Sequence, residues 1–154
     1  MAKTVPSRVT NRRRCRGGAG EVPWLKRWVP RLLRGLGWQG SLELVLVDNP
    51  EIRALKRRYY GLDRVTDVLA FASPGSGCAA VAVVSVQRAR QAARTRGRPF
   101  RDELALYVVH GLLHLAGYRD GNPRDFRRMH RREDELLAEL GMAPGRVAPC
   151  PPFP

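Results

Sequence analysis

A nearly continuous apolar segment at residues 104–115 is the feature that most restricts how this chain can fold. It follows Asp102 and Glu103, and acidic residues are favoured in the first turn of a helix. Gly117 then supplies a typical helix stop. A helix that is apolar on all sides has to be buried. The pattern therefore predicts a central helix over residues 102–116, covered by the rest of the chain.

Two histidines interrupt this apolar segment. His110 and His114 are four residues apart, so a helix places them one above the other on the same face. Buried polar groups without partners are costly, so both rings need one. Bonds to main-chain carbonyls would satisfy them, but the same spacing lets two imidazoles bind one zinc ion at about 2.0–2.1 Å. Because a carboxylate follows in the next loop, we favour a metal site.

The third ligand is expected in the loop that follows the helix. Asp120 is the natural candidate, with Asp125 and His130 as alternatives, although aspartate is also a common turn residue. Glu103 lies two turns before His110, close to the same helix face, where it could orient a histidine from outside the ligand set. An ordinary acid at a helix N-terminus is an equally good interpretation.

The residue after the first histidine argues against a peptidase. Zinc peptidases of the His-Glu-x-x-His type carry their general base at that place. Here it is Gly111, which cannot move protons. A metal-dependent hydrolase of another substrate, such as a peptide, is therefore disfavoured.

Periodicity in the remaining sequence predicts an α+β fold. We expect a small mixed sheet of three to four strands packed with about five helices, with the metal site on the central buried helix. The predicted strands cover residues 42–47, 65–71 and 79–86, and the further helices cover residues 23–36, 51–60, 87–96 and 123–140.

The chain ends differ in composition from the centre. Residues 1–20 form a basic arm with little to bury, which predicts disorder. Residues 21–141 are expected to form a single domain, and residues 142–154 a loose proline-rich tail.

Charge and cysteine content narrow the class of partner. Lys and Arg number 28 against 14 Asp and Glu, a net charge of +14, which favours a polyanion such as nucleic acid. Three widely separated cysteines argue against a disulfide framework or a cysteine-based zinc knuckle and for a reducing cytosol. With no signal peptide and no apolar stretch long enough to span a membrane, we expect a cytoplasmic protein.

Two blocks of the sequence resemble the YbeY family of rRNA-maturation endoribonucleases. Residues 110–118 are similar to the family signature His-Gly-x-x-His-Leu-x-Gly-Tyr-Asp-His, and residues 66–71 to its Thr-Asp-Val-Leu-Ser-Phe block. The pair Glu103 and Leu104 also fits the family, and the likeness runs over residues 42–140.

The resemblance implies a single-strand-specific, metal-dependent endoribonuclease, a hydrolase that acts in rRNA maturation and ribosome quality control. It implies one zinc ion held by His110, His114 and Asp120. The implied partners are rRNA in the small ribosomal subunit and ribosome-associated proteins. It assigns no nucleophile and no general acid or base.

Three positions depart from the family pattern. Asp120 replaces the third histidine, Tyr60 stands where the family commonly has an arginine, and residues 80–82 lack the family's acidic group. An RNA-binding ribosome-assembly factor with a structural metal and little nuclease activity is therefore the alternative function. The candidate RNA-binding residues, which include substitutes for the missing cation, are Arg57, Arg58, Arg64 and Arg119.

Overall fold

The computed structural model describes residues 7–12, 20–72 and 79–147. Within these residues the chain forms one sheet and five helices, so the α+β prediction is confirmed. The strands are β1 (Ser7–Asn11), β2 (Leu42–Val47), β3 (Val68–Ala72) and β4 (Ala80–Ser85). The helices are α1 (Glu21–Gly35), α2 (Asn49–Tyr60), α3 (Val86–Arg96), α4 (Phe100–Leu115) and α5 (Pro123–Glu139).

The sheet is mixed, and its strand order is β1-β2-β4-β3. β2 pairs in parallel with β1 and with β4, whereas β3 pairs antiparallel with β4. The two central strands, β2 and β4, are almost entirely apolar, as expected for strands covered on both faces.

Side chains alternate between the two faces of this sheet. Leu44 and Ala82 belong to the core that contains α1 and α4, while Val45 and Val83 pack with Ile52 of α2 on the other face. The sheet therefore separates α4, which carries the two histidines, from α2, which carries Arg57 and Arg58.

α4 is the central helix that the apolar segment predicts, and residues 103–113 of it are all buried. Gly111 faces the sheet so closely that a Cβ atom there would lie 2.8 Å from Cγ2 of Val68 and 4.0 Å from Cβ of Ala82. Glycine lets the helix come this close to the sheet, so packing explains why residue 111 has no side chain.

Residues 7–11 correct the prediction of a wholly disordered arm. They form β1, an edge strand whose backbone pairs with β2 and whose Val9 side chain is only 4% exposed. Main-chain hydrogen bonds to β2 and the burial of Val9 stabilise this strand. Residues 1–6 and 13–19 of the predicted arm lie outside the described residues.

The segment after α5 also packs more closely than a loose tail. Val147 is buried, and the Arg98 guanidinium donates to the main-chain carbonyls of Ala143 and Pro144. Residues 148–154 lie outside the described residues. Among the described helices, none combines the length and apolarity needed to cross a membrane.

Candidate metal centre

α4 brings the two histidines together near its C-terminal end. The Nε2 atoms of His110 and His114 are 3.1 Å apart, and the rings meet edge to face. His110 is fully buried, whereas the side chain of His114 keeps a 5% exposed fraction. The local helix geometry that the spacing predicts is therefore confirmed.

A tight reversal at the end of α4 returns the chain toward these rings. Gly117 adopts a φ of +97°, a left-handed conformation that side chains rarely allow. The N–H of Tyr118 donates to the carbonyl of Leu113 at 3.0 Å, and the N–H of Gly117 to that of His114, as in a Schellman motif. The motif turns the following residues back over the helix end, which brings in Asp120.

The Oδ2 atom of Asp120 completes a triangle of potential ligand atoms. It lies 3.8 Å from Nε2 of His110 and 3.7 Å from Nε2 of His114. With the 3.1 Å side between the rings, a point about 2.1 Å from all three atoms lies inside the triangle, within the range of about 2.0–2.2 Å for zinc bonds. Oδ2 of Asp120 is buried and has no hydrogen-bond partner among the described residues. These three residues fit one metal ion.

The other nitrogen of each ring decides which tautomer the ring adopts. Nδ1 of His110 is 2.9 Å from a carboxylate oxygen of Glu133, and Nδ1 of His114 is 3.1 Å from the carbonyl of Tyr118. Both partners are acceptors, so each Nδ1 carries a hydrogen and each Nε2 presents a lone pair. Two lone pairs and a carboxylate oxygen converge, and such a set is stable around a cation.

Burial, followed by the neighbouring His110, lowers the pKa of the His114 imidazole to about 4, against the opposing effect of Asp120. The ring is therefore neutral near pH 7, the form in which imidazole binds a metal.

Glu133 is the polar residue that sequence reasoning missed. It is fully buried on α5, where its carboxylate accepts hydrogen bonds from His110 and from His130. The signal was present, because Glu133 interrupts the packing stripe of Met129, Leu136 and Leu137. A lone acid on an apolar stripe indicates a buried partner.

Glu103 does not contact either histidine, which goes against the interpretation that it orients one of them. Its carboxylate is fully buried and pairs with Arg96 at 2.5 Å and Arg98 at 3.2 Å. Burial raises the pKa of the Glu103 carboxyl, although the two arginines oppose that effect. The shared helix face did not bring Glu103 to a histidine, because Arg96 of α3 and Arg98 of the loop after α3 lie next to its carboxylate.

The alternative ligands lie outside the triangle. Asp125 interacts with Asn122, which caps α5, and His130 directs Nδ1 at Glu133. Among the described residues, the only group placed to hold a metal ion is His110, His114 and Asp120.

The four candidate RNA-binding arginines are all exposed but do not form one cluster. Arg119 lies in the loop that carries Asp120, and its charge contributes to lowering the pKa of His114. Arg57 and Arg58 lie on α2, and Arg64 follows that helix, on the side of the sheet opposite α4. The structure thus places one arginine beside the candidate centre and three away from it.

Comparison with known proteins identifies the family of this chain. The family model described as Endoribonuclease YbeY matches residues 23–141. The chain belongs to the YbeY family. A relative named Endoribonuclease YbeY in Brevibacillus brevis is 36% identical, over 68% of this chain and 77% of its own length. In Halorhodospira halophila a relative of the same name is 36% identical, over 80% and 86% respectively.

Other similarities differ in how much of each protein they cover. An Endoribonuclease YbeY of Myxococcus xanthus is 39% identical over 77% of this chain, but the match spans only 43% of that relative's length. The solution structure of a Thermotoga maritima protein superposes with a TM-score of 0.60 at 25% identity, covering 88% of this chain and 91% of that one. The resemblance that the sequence suggested and the fold are both confirmed.

Tyr60, which stands where the YbeY pattern commonly has an arginine, lies half-buried at the end of α2. Its ring centroid is 6.1 Å from that of Phe71, and it packs with the apolar cluster on the α2 face of the sheet. The exposed side chain next to it is Tyr59.

Proposed function

We propose that this protein is a zinc-dependent endoribonuclease that cleaves single-stranded RNA during rRNA maturation and ribosome quality control in the cytoplasm. The family membership supports cleavage of RNA, and the ligand triangle of His110, His114 and Asp120 supports the dependence on a metal. The observation that carries the proposal is that two Nε2 lone pairs and one buried carboxylate oxygen are directed at the same point.

The charges around the centre also fit a divalent cation. The carboxylates of Asp120 and Glu133 are both next to His110, whose Nδ1 carries the hydrogen that Glu133 accepts. Two buried negative charges need compensation, and one doubly charged ion supplies it. Two imidazoles and one carboxylate are a common ligand set for catalytic zinc, with a further position left for water or substrate. Zinc bound there would supply Lewis acidity for phosphodiester hydrolysis.

Basic residues of the chain would hold the RNA backbone. Arg119 is exposed next to the ligand triangle, so we assign it a phosphate contact near the scissile bond. Arg57, Arg58 and Arg64 would bind more distant phosphates. The guanidinium of Arg58 lies 5.5 Å from the ring centroid of Tyr59, which is 53% exposed and offers a surface on which a base could stack.

The alternative of a ribosome-assembly factor with little nuclease activity rests on the absence of an arginine at Tyr60. The relatives that match most of this chain are named endoribonucleases, which favours the enzyme. We also propose rRNA of the small ribosomal subunit as the substrate, ribosome-associated proteins as partners, and a catalytic domain in which residues 21–141 are completed by β1 and by the segment up to Val147.

The proposal is tested by measuring zinc content and RNA cleavage in the same preparations. We expect about one zinc per chain in the wild type, and loss of both zinc and cleavage in His114→Ala and Asp120→Ala. Asp125→Asn, which changes an acid outside the triangle, should retain both properties. Single-stranded RNA should be cut in preference to a duplex of the same sequence. Full cleavage by zinc-free His114→Ala protein would refute the role of the metal.

A further inference from the structure

The fully buried carboxylate of Glu133 lies behind the candidate centre, on the side of His110 away from the other ligand atoms. One of its oxygens is 2.9 Å from Nδ1 of His110, and the other is 3.0 Å from Nδ1 of His130. No water is needed to satisfy it, because each oxygen has an imidazole N–H directed at it. α5 thereby joins two histidines that lie 20 residues apart in the sequence.

We infer that Glu133 is a positioning residue that keeps His110 in the Nδ1–H tautomer with Nε2 directed at the centre, and that His130 anchors Glu133 in turn. The inference rests on the proposed metal centre and extends it to residues that are not ligands. Carboxylates that accept from a ligating imidazole fix both the tautomer and the orientation of its ring.

The tautomer of His130 follows from its surroundings. Nε2 of His130 is buried and has no hydrogen-bond partner among the described residues. A hydrogen on that atom would be an unsatisfied donor, and the lone pair on Nδ1 would then face the carboxylate of Glu133. The hydrogen therefore belongs on Nδ1, where it is donated to Glu133. Phe126 packs edge-on against the ring, with centroids 4.0 Å apart, and restricts its rotation.

Loss of the Glu133 carboxylate would release the other tautomer of His110. In that form Nε2 of His110 carries the hydrogen and can donate it to Nε2 of His114, only 3.1 Å away. That hydrogen would occupy the position from which a lone pair must reach the ion. Removing the carboxylate should therefore weaken zinc binding although all three ligand residues remain.

The inference is tested by measuring zinc dissociation constants at one fixed pH, by competition with a chromophoric chelator. Gln at position 133 has the same size as Glu but only one acceptor oxygen, so it cannot serve both histidines. We expect Glu133→Gln to bind zinc about 10–100-fold more weakly than the wild type. His130→Phe should show a smaller loss. Glu135→Gln, which removes an exposed acid paired with Arg132 on the same helix, should bind zinc as the wild type does.

Nitrogen NMR of the imidazoles in the metal-free wild type gives a second measurement that needs no variant to fold. We expect His110 to be in the Nδ1–H form. A dominant Nε2–H form would overturn the inference, as would a folded Glu133→Gln protein whose zinc affinity is within twofold of the wild type. Wild-type affinity in His130→Phe would overturn the anchoring role of His130. A wild-type protein that binds no zinc would instead overturn the proposed function.

Discussion

α4 approaches the sheet closely at Gly111, and adding a single methyl group there is a sharp test of the packing. In Gly111→Ala, the new Cβ would lie 2.8 Å from Cγ2 of Val68, whereas Cβ of Ala82 at 4.0 Å would be an ordinary contact. Carbon atoms are most stable at about 3.5–4.0 Å from each other. The clash is thus with one identified methyl group.

The size of the effect follows from how little either partner can move. Val68 is β-branched, so its side-chain rotation is restricted, and its strand pairs with β4 at Val84. The helix or the strand must therefore shift, and overpacking of this kind costs about 1–3 kcal/mol. Replacing glycine by alanine within a helix returns up to about 1 kcal/mol. We expect Gly111→Ala to lower the free energy of unfolding by about 1–2 kcal/mol.

Urea unfolding of a double-mutant cycle measures this directly. Val68→Ala is destabilising alone, but it removes the clashing methyl, so Gly111→Ala should be neutral or stabilising in that background. The coupling energy should be at least about 1 kcal/mol. Gly35→Ala is the matched control, because Gly35 ends α1 with nothing within 4 Å of its Cβ position. If Gly111→Ala and Gly35→Ala are equally stable, the packing argument is wrong.

Three further predictions concern RNA binding, pH and ion pairing. Tyr59→Ala should weaken the binding of a short single-stranded RNA by about 1–3 kcal/mol in fluorescence anisotropy, because a stacking surface is lost, whereas Tyr59→Trp should not. The metal-free protein should lose stability as the pH falls from about 6.5 toward about 4, because burial lowers the pKa of His114 and the unfolded chain binds the proton more readily; urea midpoints of His114→Ala should depend less on pH. Arg98→Met should lower the free energy of unfolding by about 2–3 kcal/mol, because buried Glu103 then keeps one arginine partner. Thermal or urea unfolding should show a clearly smaller effect for Arg53→Met, whose ion pair is exposed and screened by solvent, and an equal effect of both substitutions would contradict this reasoning.

The local features of the centre could be predicted because they depend on short stretches of chain. Four-residue spacing brings His110 and His114 onto one helix face in any fold that forms the helix. Gly117 allows the left-handed turn that brings Asp120 back within a few residues. The apolar residues around the histidines also required burial, so the central position of α4 was predictable.

Features that depend on distant parts of the chain were not predictable in the same way. β1 contributes only one buried valine, Val9, and its stability comes from main-chain bonds to the edge of β2, which no local pattern indicates. Glu103 shares the helix face of the histidines, so the sequence left open whether it orients one of them, but its partners Arg96 and Arg98 come from outside that helix.

The sequence by itself determined which three side chains could reach one ion, because helix period and one glycine turn operate over eleven residues from His110 to Asp120. Only the tertiary structure decided what lies behind them. Glu133 reaches His110 because α5 packs against α4, and α2 with its arginines lies on the opposite face of the sheet because Ile52 packs against Val45 and Val83. Contacts of this kind depend on how whole helices and sheets bury their apolar faces, and the spacing of residues within a short segment does not predict that packing.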